Sequence, residues 1–195
     1  MSLQTLLLSV HLLGCVFGVG ASTILDLRVV SLLGGRRVSG QDLAFVRLLS
    51  LFTRIGLLLL WLSGLCFLSR YWFSAPELLT NPKLHAKVAI VLTLTLNGLL
   101  VELFALPFLV RQRGRALFDG LPVQAQVGAL IVGVVSATGW YGAFALGLLR
   151  EWNFVVPATT ILTGYSVLVT AGCCAAILAR QVLYSPRSSR HHPFA

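Results

Sequence analysis

The sequence contains little charge, and very little of that charge is acidic. Of its 195 residues, 11% are charged, only 6 are Asp or Glu, and a single Met is present, whereas 57% belong to the hydrophobic set. A water-soluble domain carries about 25% charged residues. The shortage of charge therefore excludes an ordinary soluble domain, and the mean hydropathy of +0.88 indicates a chain that folds in lipid.

Motifs of soluble enzymes are also missing. The sequence has no P-loop, no G-x-G-x-x-G, no H-E-x-x-H and no G-x-S-x-G, so nucleotide-binding, zinc-protease and serine-hydrolase chemistry have no support. Its four Cys residues form neither a C-x-x-C nor a zinc-ligand spacing. The net charge of +9 is interpreted as membrane topology, and a nucleic-acid module is excluded.

Five long apolar runs are present instead. A spanning helix needs about 20 mainly apolar residues, and each run is bounded by charged residues or by Pro and Gly. The predicted spans are residues 3–25, 43–68, 82–110, 122–149 and 156–179. They predict an all-α integral membrane bundle of five transmembrane helices, forming a single domain over residues 1–184 and followed by a polar basic tail over residues 185–195.

Lys and Arg residues near the span ends predict the orientation. Ten of them lie on the side of the first loop, the third loop and the tail, and four lie on the other side. Basic residues concentrate on the cytoplasmic side of a membrane, which places the N-terminus outside and the C-terminus in the cytoplasm. We therefore expect a multi-pass protein of a cell inner membrane, with the lipid bilayer as its surroundings.

Few ionisable side chains lie inside the predicted spans, where such groups are costly unless they are paired or functional. At about 1.5 Å of rise per residue, His11 and Lys87 lie roughly 12 Å and 8 Å from the outer ends of their helices and share a leaflet. Lys87 lies on a polar stripe that is predicted to face the bundle, whereas His85 is predicted to be interfacial. Arg54 and Glu102 are natural partners, either as a structural ion pair or in a proton-linked or electron-linked role.

A small-residue motif accompanies His11 on the first span. Gly14 and Gly18 form a GxxxG motif, which lets helices approach closely. Because His11 lies on the same stripe, we expect the two glycines to leave room beside the imidazole for a flat cofactor.

Three short motifs in the first three spans resemble the CopD/HemJ-type membrane superfamily. They are His11-Leu12-Leu13-Gly14, Phe52-Thr53-Arg54 with Ser63-Gly64-Leu65, and Leu84-His85-Ala86-Lys87. The superfamily includes copper-resistance membrane domains and the HemJ-type protoporphyrinogen IX oxidase, a small helical bundle with haem b. The resemblance implies that His11 is the axial haem ligand, that Lys87 is the required lysine of the third span, and that Arg54 is the arginine of the second. The chain differs from HemJ-type proteins, which have four spans, in its fifth.

Three hypotheses about function follow. The first is a haem-b-binding redox protein of a bacterial inner membrane, an oxidase of porphyrinogen type that passes electrons to quinone, with His11, Gly14, Gly18 and Lys87 holding the cofactor and Lys87, Arg54 and Glu102 as catalytic residues. The second is a non-catalytic subunit or scaffold of a larger membrane complex, or a homo-oligomer. The third is a copper-handling membrane protein, in which the soft ligands His11, Cys15 and Cys66 would bind the metal.

Overall fold

The computed structural model describes residues 2–184, which fold into long α-helices. Their bounds are α1 Leu3–Leu33, α2 Gly40–Ser74, α3 Pro82–Leu100, α4 Leu106–Arg111, α5 Val123–Leu148 and α6 Ala158–Tyr184. A π-helical turn joins α3 to α4, so Pro82–Arg111 forms one continuous span. Five helices in this part of the chain are long and apolar enough to cross a membrane. The predicted all-α five-helix membrane bundle is confirmed, and the predicted tail over 185–195 lies outside the described residues.

Local capping chemistry explains where the helices begin. At the start of α2, Ser39 and Asp42 form a reciprocal capping box. At the start of α3, the Asn81 side chain accepts a hydrogen bond from the Lys83 backbone at 3.1 Å, and Pro82 takes the first helical position. The predicted starts at residues 82 and 122 therefore agree with the structure to within one residue.

The predicted helix ends were too short on several spans. Helix α1 runs on to Leu33 and stops before Gly35, whose positive φ of 86° breaks the helix. Helix α2 starts three residues earlier and ends six later than predicted, and α6 continues to Tyr184. These helices continue past polar residues such as Asp26 and Arg70, because a single polar or charged side chain does not interrupt the backbone hydrogen bonds of a helix. Which end faces the cytoplasm stays a prediction.

Helices α1 and α2 form the most extensive contact in the described bundle. Gly56 of α2 lies against the α1 backbone, where an added Cβ would come 2.5 Å from the Gly18 nitrogen and 2.8 Å from the Gly14 oxygen. The ring of Trp140 on α5 fills the space that a Cβ on Gly18 would need. These three glycines fix the register of α1 against α2, and Trp140 adds α5 to the same junction.

The π-helical turn Val101–Ala105 has a local cause in Pro107. Proline lacks a backbone N–H and its ring displaces the carbonyl four residues earlier, here that of Leu103. Leu106 donates to the Val101 oxygen, five residues back, which widens the turn. The third span thus continues through Pro107 without breaking.

The loops at one end of the bundle form a small ordered layer. Val38 is 1% exposed and donates a backbone hydrogen bond to the Arg115 oxygen at 2.9 Å. Arg28 and the fully buried Asp42 form an ion pair beneath it. We call this the arginine-rich end; it comprises residues 28–47, 111–126 and 180–184.

Candidate functional site

A cavity of about 370 Å³ lies between α1, α2, α3 and α5, near the end of the bundle opposite the arginine-rich end. We call it the His11 cavity. Most of its wall is aliphatic and aromatic, with Trp61 and Trp140 among the lining residues. Its volume falls in the range of about 300–1,000 Å³ that ligand sites occupy. Leu65 lines the cavity and is still 52% exposed on the bundle surface, so the cavity opens sideways, toward the lipid.

The structure places His11 and Lys87 together on this cavity. They come from α1 and α3, two helices that are not consecutive in the chain. Both side chains are half-buried. The cavity therefore has an imidazole and an amine on a wall that is otherwise mostly apolar, which is the usual composition of a small-molecule site.

A hydrogen bond to Ser63 orients the His11 ring. The Ser63 hydroxyl is buried and donates to the Leu59 backbone oxygen at 2.6 Å, which uses its single hydrogen. Its oxygen therefore accepts from His11 Nδ1–H, and the two atoms are 2.8 Å apart. This arrangement assigns the proton to Nδ1 and leaves the Nε2 lone pair available as a ligand or a hydrogen-bond acceptor. Phe67 packs edge-on against the ring, with centroids 5.9 Å apart.

Lys87 brings a cation to the cavity without a carboxylate beside it. Within residues 2–184 the ion pairs are Arg28 with Asp42 and Arg54 with Glu102, so Lys87 belongs to neither. Its ammonium lies near α5, where a Cβ added to Gly147 would be 3.8 Å from Nζ. An ammonium held this way favours an anionic group on a ligand, since burial makes an unpaired charge costly.

The predicted division between the two faces of α3 is confirmed at this end of the helix. His85 is exposed, and its Nε2 lies 2.7 Å from the backbone oxygen of Leu79 in the preceding loop. Two residues further on, Lys87 lines the cavity. His85 therefore lies outside the His11 cavity and offers a matched control for His11.

Arg54 and Glu102 pair as predicted, with Arg54 Nη1 and Glu102 Oε2 3.3 Å apart. They do not join Lys87 in one catalytic group, because neither lines the His11 cavity. Glu102 follows Lys87 on the same span at a distance of about 22 Å, at about 1.5 Å of rise per residue. The Arg54 side chain is 53% exposed, which places the pair on the outer surface between α2 and the π-helical turn.

The space expected beside Gly14 and Gly18 is not available to a cofactor. Gly56 and Leu60 of α2 fill it at Gly14, and Trp140 fills it at Gly18. Neither glycine lines the His11 cavity. The prediction that these two residues bind a cofactor is therefore corrected: they serve helix packing, and the cavity lies beside that contact.

The copper ligand set does not assemble either. His11 and Cys15 line the same cavity, but Cys66 is exposed and lies outside it. Within residues 2–184 no group of three or more His, Cys, Asp or Glu side chains is close enough to hold a metal ion. The hypothesis grouped the three residues by their soft ligand chemistry, and the structure places Cys66 on the exposed side of α2.

Sequence reasoning missed the role of Ser63. A hydroxyl in a Leu-rich run is a weak signal, because serine bonds its own helix equally well. Ser63 is 52 positions from His11 in the chain, and only the packing of α1 on α2 brings the two together.

No protein-family model, no curated protein and no solved structure matches the chain.

Proposed function

We propose that the His11 cavity binds haem b and that the chain is a multi-pass membrane redox protein. The observation that carries the proposal is the orientation of His11 by Ser63, which leaves a neutral imidazole nitrogen available beside a mostly apolar cavity. A haem iron takes an axial imidazole of this kind. When bound, haem b would supply one-electron transfer by its iron.

Ser63 and Lys87 support the same assignment in different ways. A ligating histidine normally donates its other ring N–H to a neighbouring group, which fixes the tautomer and makes the ligand more basic; Ser63 is that neighbour. Lys87 lines the same cavity without a carboxylate partner in the described chain, so its ammonium is suited to a haem propionate. A second role for Lys87, as the other axial ligand, is tested below.

The sideways opening of the cavity is consistent with a lipophilic substrate. Between α2 and α3 the described contacts are sparse: a hydrogen bond joins Trp61 Nε1 to Thr95 Oγ1 at 3.0 Å, and Arg54 pairs with Glu102 further along. A porphyrin-type molecule could approach from the bilayer without crossing water, and a quinone could accept electrons from the same side. In the proposed oxidation of a porphyrinogen, His11 would orient the cofactor, Lys87 would balance its negative charge, and the apolar wall of the cavity would exclude water.

The first test is an absorption spectrum of the detergent-purified chain, expressed with an ample haem supply. We expect a Soret band in the wild type, its loss in His11→Ala, and its retention in His85→Ala, because His85 lies outside the cavity. Helical content measured by circular dichroism shows whether each variant is folded. A folded wild type without the band, or a folded His11→Ala variant that keeps it, contradicts the proposal.

The role of Lys87 is tested separately with Lys87→Gln. If its ammonium binds a propionate, the variant keeps the axial spectrum of the wild type but loses haem several-fold faster to apomyoglobin. If Lys87 is instead the second axial ligand, the visible bands of the reduced protein shift to those of a five-coordinate haem. Both outcomes keep His11 as a ligand. The experiment therefore decides only whether Lys87 binds a propionate or is the second axial ligand.

A second candidate function, a subunit of a larger membrane complex, is favoured by the position of α6. Ile161 is the buried residue of this 27-residue helix in the described bundle, and most of the other residues of α6 are exposed. Exposed small residues, Gly164 and Ala171 among them, lie along the helix and would allow close approach of another helix. Purification of a stoichiometric partner together with a chain that has no chromophore would favour this function over the first.

A further inference from the structure

A second cavity lies at the arginine-rich end, in the membrane-facing surface between the end of the third span and the start of α5. It measures about 600 Å³. One wall is formed by large apolar residues around the π-helical turn, such as Leu100 and Phe104, and the other by the small residues Ala125, Gly128 and Ala129. We call it the α5 groove.

The floor of the α5 groove is open rather than closely packed. Gly128 is exposed, and a Cβ built on it would meet no atom within 4 Å. Phe104 on the opposite wall is 65% exposed. The π-helical turn and Pro107 both border the groove. In a bilayer such a space is filled by hydrocarbon.

The length of the groove matches one leaflet. From Arg111 to Leu100 the span rises about 16 Å, at about 1.5 Å per residue, and half of a hydrocarbon core of about 30 Å is about 15 Å. A spanning partner helix or a second copy of this chain would require a groove along the whole span. A single acyl chain requires only the length that is present.

Charge is present at one end of the groove alone. Arg111 lines the groove at its mouth and is exposed. It takes part in neither of the two ion pairs within residues 2–184. Every other residue that lines the groove is apolar. An apolar channel of one-leaflet depth with a guanidinium at the headgroup level is complementary to a phosphate and its acyl chain.

The geometry points to a binding site for one anionic phospholipid in the α5 groove, with an acyl chain on Gly128 and Ala129 and the phosphate on Arg111. This site is separate from the His11 cavity and does not depend on what that cavity binds. It gives the arginine-rich end a defined lipid contact in addition to its part in topology.

The test uses the full-length chain in nanodiscs of equal parts dioleoyl phosphatidylglycerol and dioleoyl phosphatidylcholine, followed by native mass spectrometry after transfer to a mild detergent. We expect the wild type to retain one phosphatidylglycerol, with a preference of about five-fold over phosphatidylcholine, which corresponds to about 1 kcal/mol for one basic side chain at an anionic surface. Arg111→Gln removes the preference. The control Arg150→Gln, which neutralises an exposed arginine at the other end, keeps it.

A second variant tests the acyl-chain half of the site. Gly128→Leu places a large side chain in the groove, and its Cβ would meet no atom within 4 Å, so we expect the folded protein to lose the retained lipid. Gly164→Leu places the same side chain in open space on α6 and keeps it. Equal retention of both lipids by the wild type, an Arg111→Gln variant that behaves like Arg150→Gln, or a Gly128→Leu variant that still retains the lipid would each overturn the proposal, as would a second copy of the chain retained in place of lipid.

Discussion

At the scale of single residues, the candidate site depends on one hydroxyl. The Ser63 oxygen lies 2.8 Å from His11 Nδ1 and accepts its hydrogen bond, while the Ser63 hydroxyl donates to the Leu59 oxygen. A serine that bonds only its own helix would leave the imidazole free to rotate and to exchange tautomers. The hydrogen bond between Ser63 and His11 is therefore expected to increase the affinity of His11 for a ligand beyond what burial of the ring alone would give.

The substitution Ser63→Ala tests this pairing. Loss of a hydrogen-bond partner behind a ligating histidine typically costs 10-fold to 100-fold in affinity, so we expect haem to dissociate at least about tenfold faster, with little change in helical content. The measurement is the rate of haem transfer to apomyoglobin. Ser166→Ala is the control, because Ser166 donates only to its own helix, at Leu162. Equal transfer rates in the two variants would count against a positioning role for Ser63.

At the scale of secondary-structure elements, the contact between α1 and α2 sets the geometry of the site. Gly56 lies closest to the α1 backbone, and its position relative to Gly14 and Gly18 fixes how far the helices slide along each other. Ser63 follows Gly56 by about two helical turns, which is where His11 lies on the antiparallel helix. The glycine contact thus brings the serine and the histidine together.

We expect Gly56→Ala to destabilise the bundle by about 1–3 kcal/mol, since the added methyl would lie 2.5 Å from the α1 backbone and overpacking typically costs that much. Gly20→Ala on α1 has no atom within 4 Å of its added Cβ and should be neutral or slightly stabilising, as expected for Gly to Ala in a helix. Thermal unfolding in detergent compares the two. Equal melting temperatures would show that the helices separate at little cost.

At the scale of the whole molecule, two groups of ionisable residues lie apart and have different surroundings. The His11 cavity is lined by residues of four helices, whereas the pair of Arg54 and Glu102 lies on the outer surface between α2 and the third span. The ion pair of Arg54 and Glu102 links α2 to the third span, two helices that otherwise make few contacts, so we interpret it as a structural ion pair that stabilises the bundle. The same separation argues against grouping Lys87 with Arg54 and Glu102 as catalytic residues.

A comparison of single and double variants of Arg54 and Glu102 distinguishes a structural role of this ion pair from a catalytic one. Arg54→Leu leaves the Glu102 carboxylate unpaired and should lower stability by about 1–2 kcal/mol, the upper end of what polar contacts between membrane helices contribute. The double variant with Glu102→Leu should regain most of that loss, because no charge is left without a partner. Haem content should stay at the wild-type level in both. If the double variant lost haem although its stability was restored, Arg54 and Glu102 would have to contribute to haem binding.

The helices of this bundle could be predicted from the sequence, and the reason is local. In lipid each backbone N–H and C=O must be bonded within the protein, and apolar runs of about 20 residues or more satisfy this as helices, so five such runs already imply five helices. The starts at Asn81 and Pro122 are set by residues one or two positions away. The helix ends were harder to place because a polar residue such as Asp26 or Arg70 does not stop a helix, and α1 continues to the glycines at 34 and 35.

The sequence by itself determined that the protein is an all-α membrane bundle, which polar residues lie within its spans, and which face of α3 carries Lys87. Tertiary structure alone decided which of those residues meet. It placed Ser63 on His11, gave the space beside Gly14 and Gly18 to Gly56 and Trp140, and left Arg54 and Glu102 outside the cavity. Helix formation depends on bonds within one segment, whereas a site depends on the register between segments, which is set by close contacts that the sequence does not pair in advance.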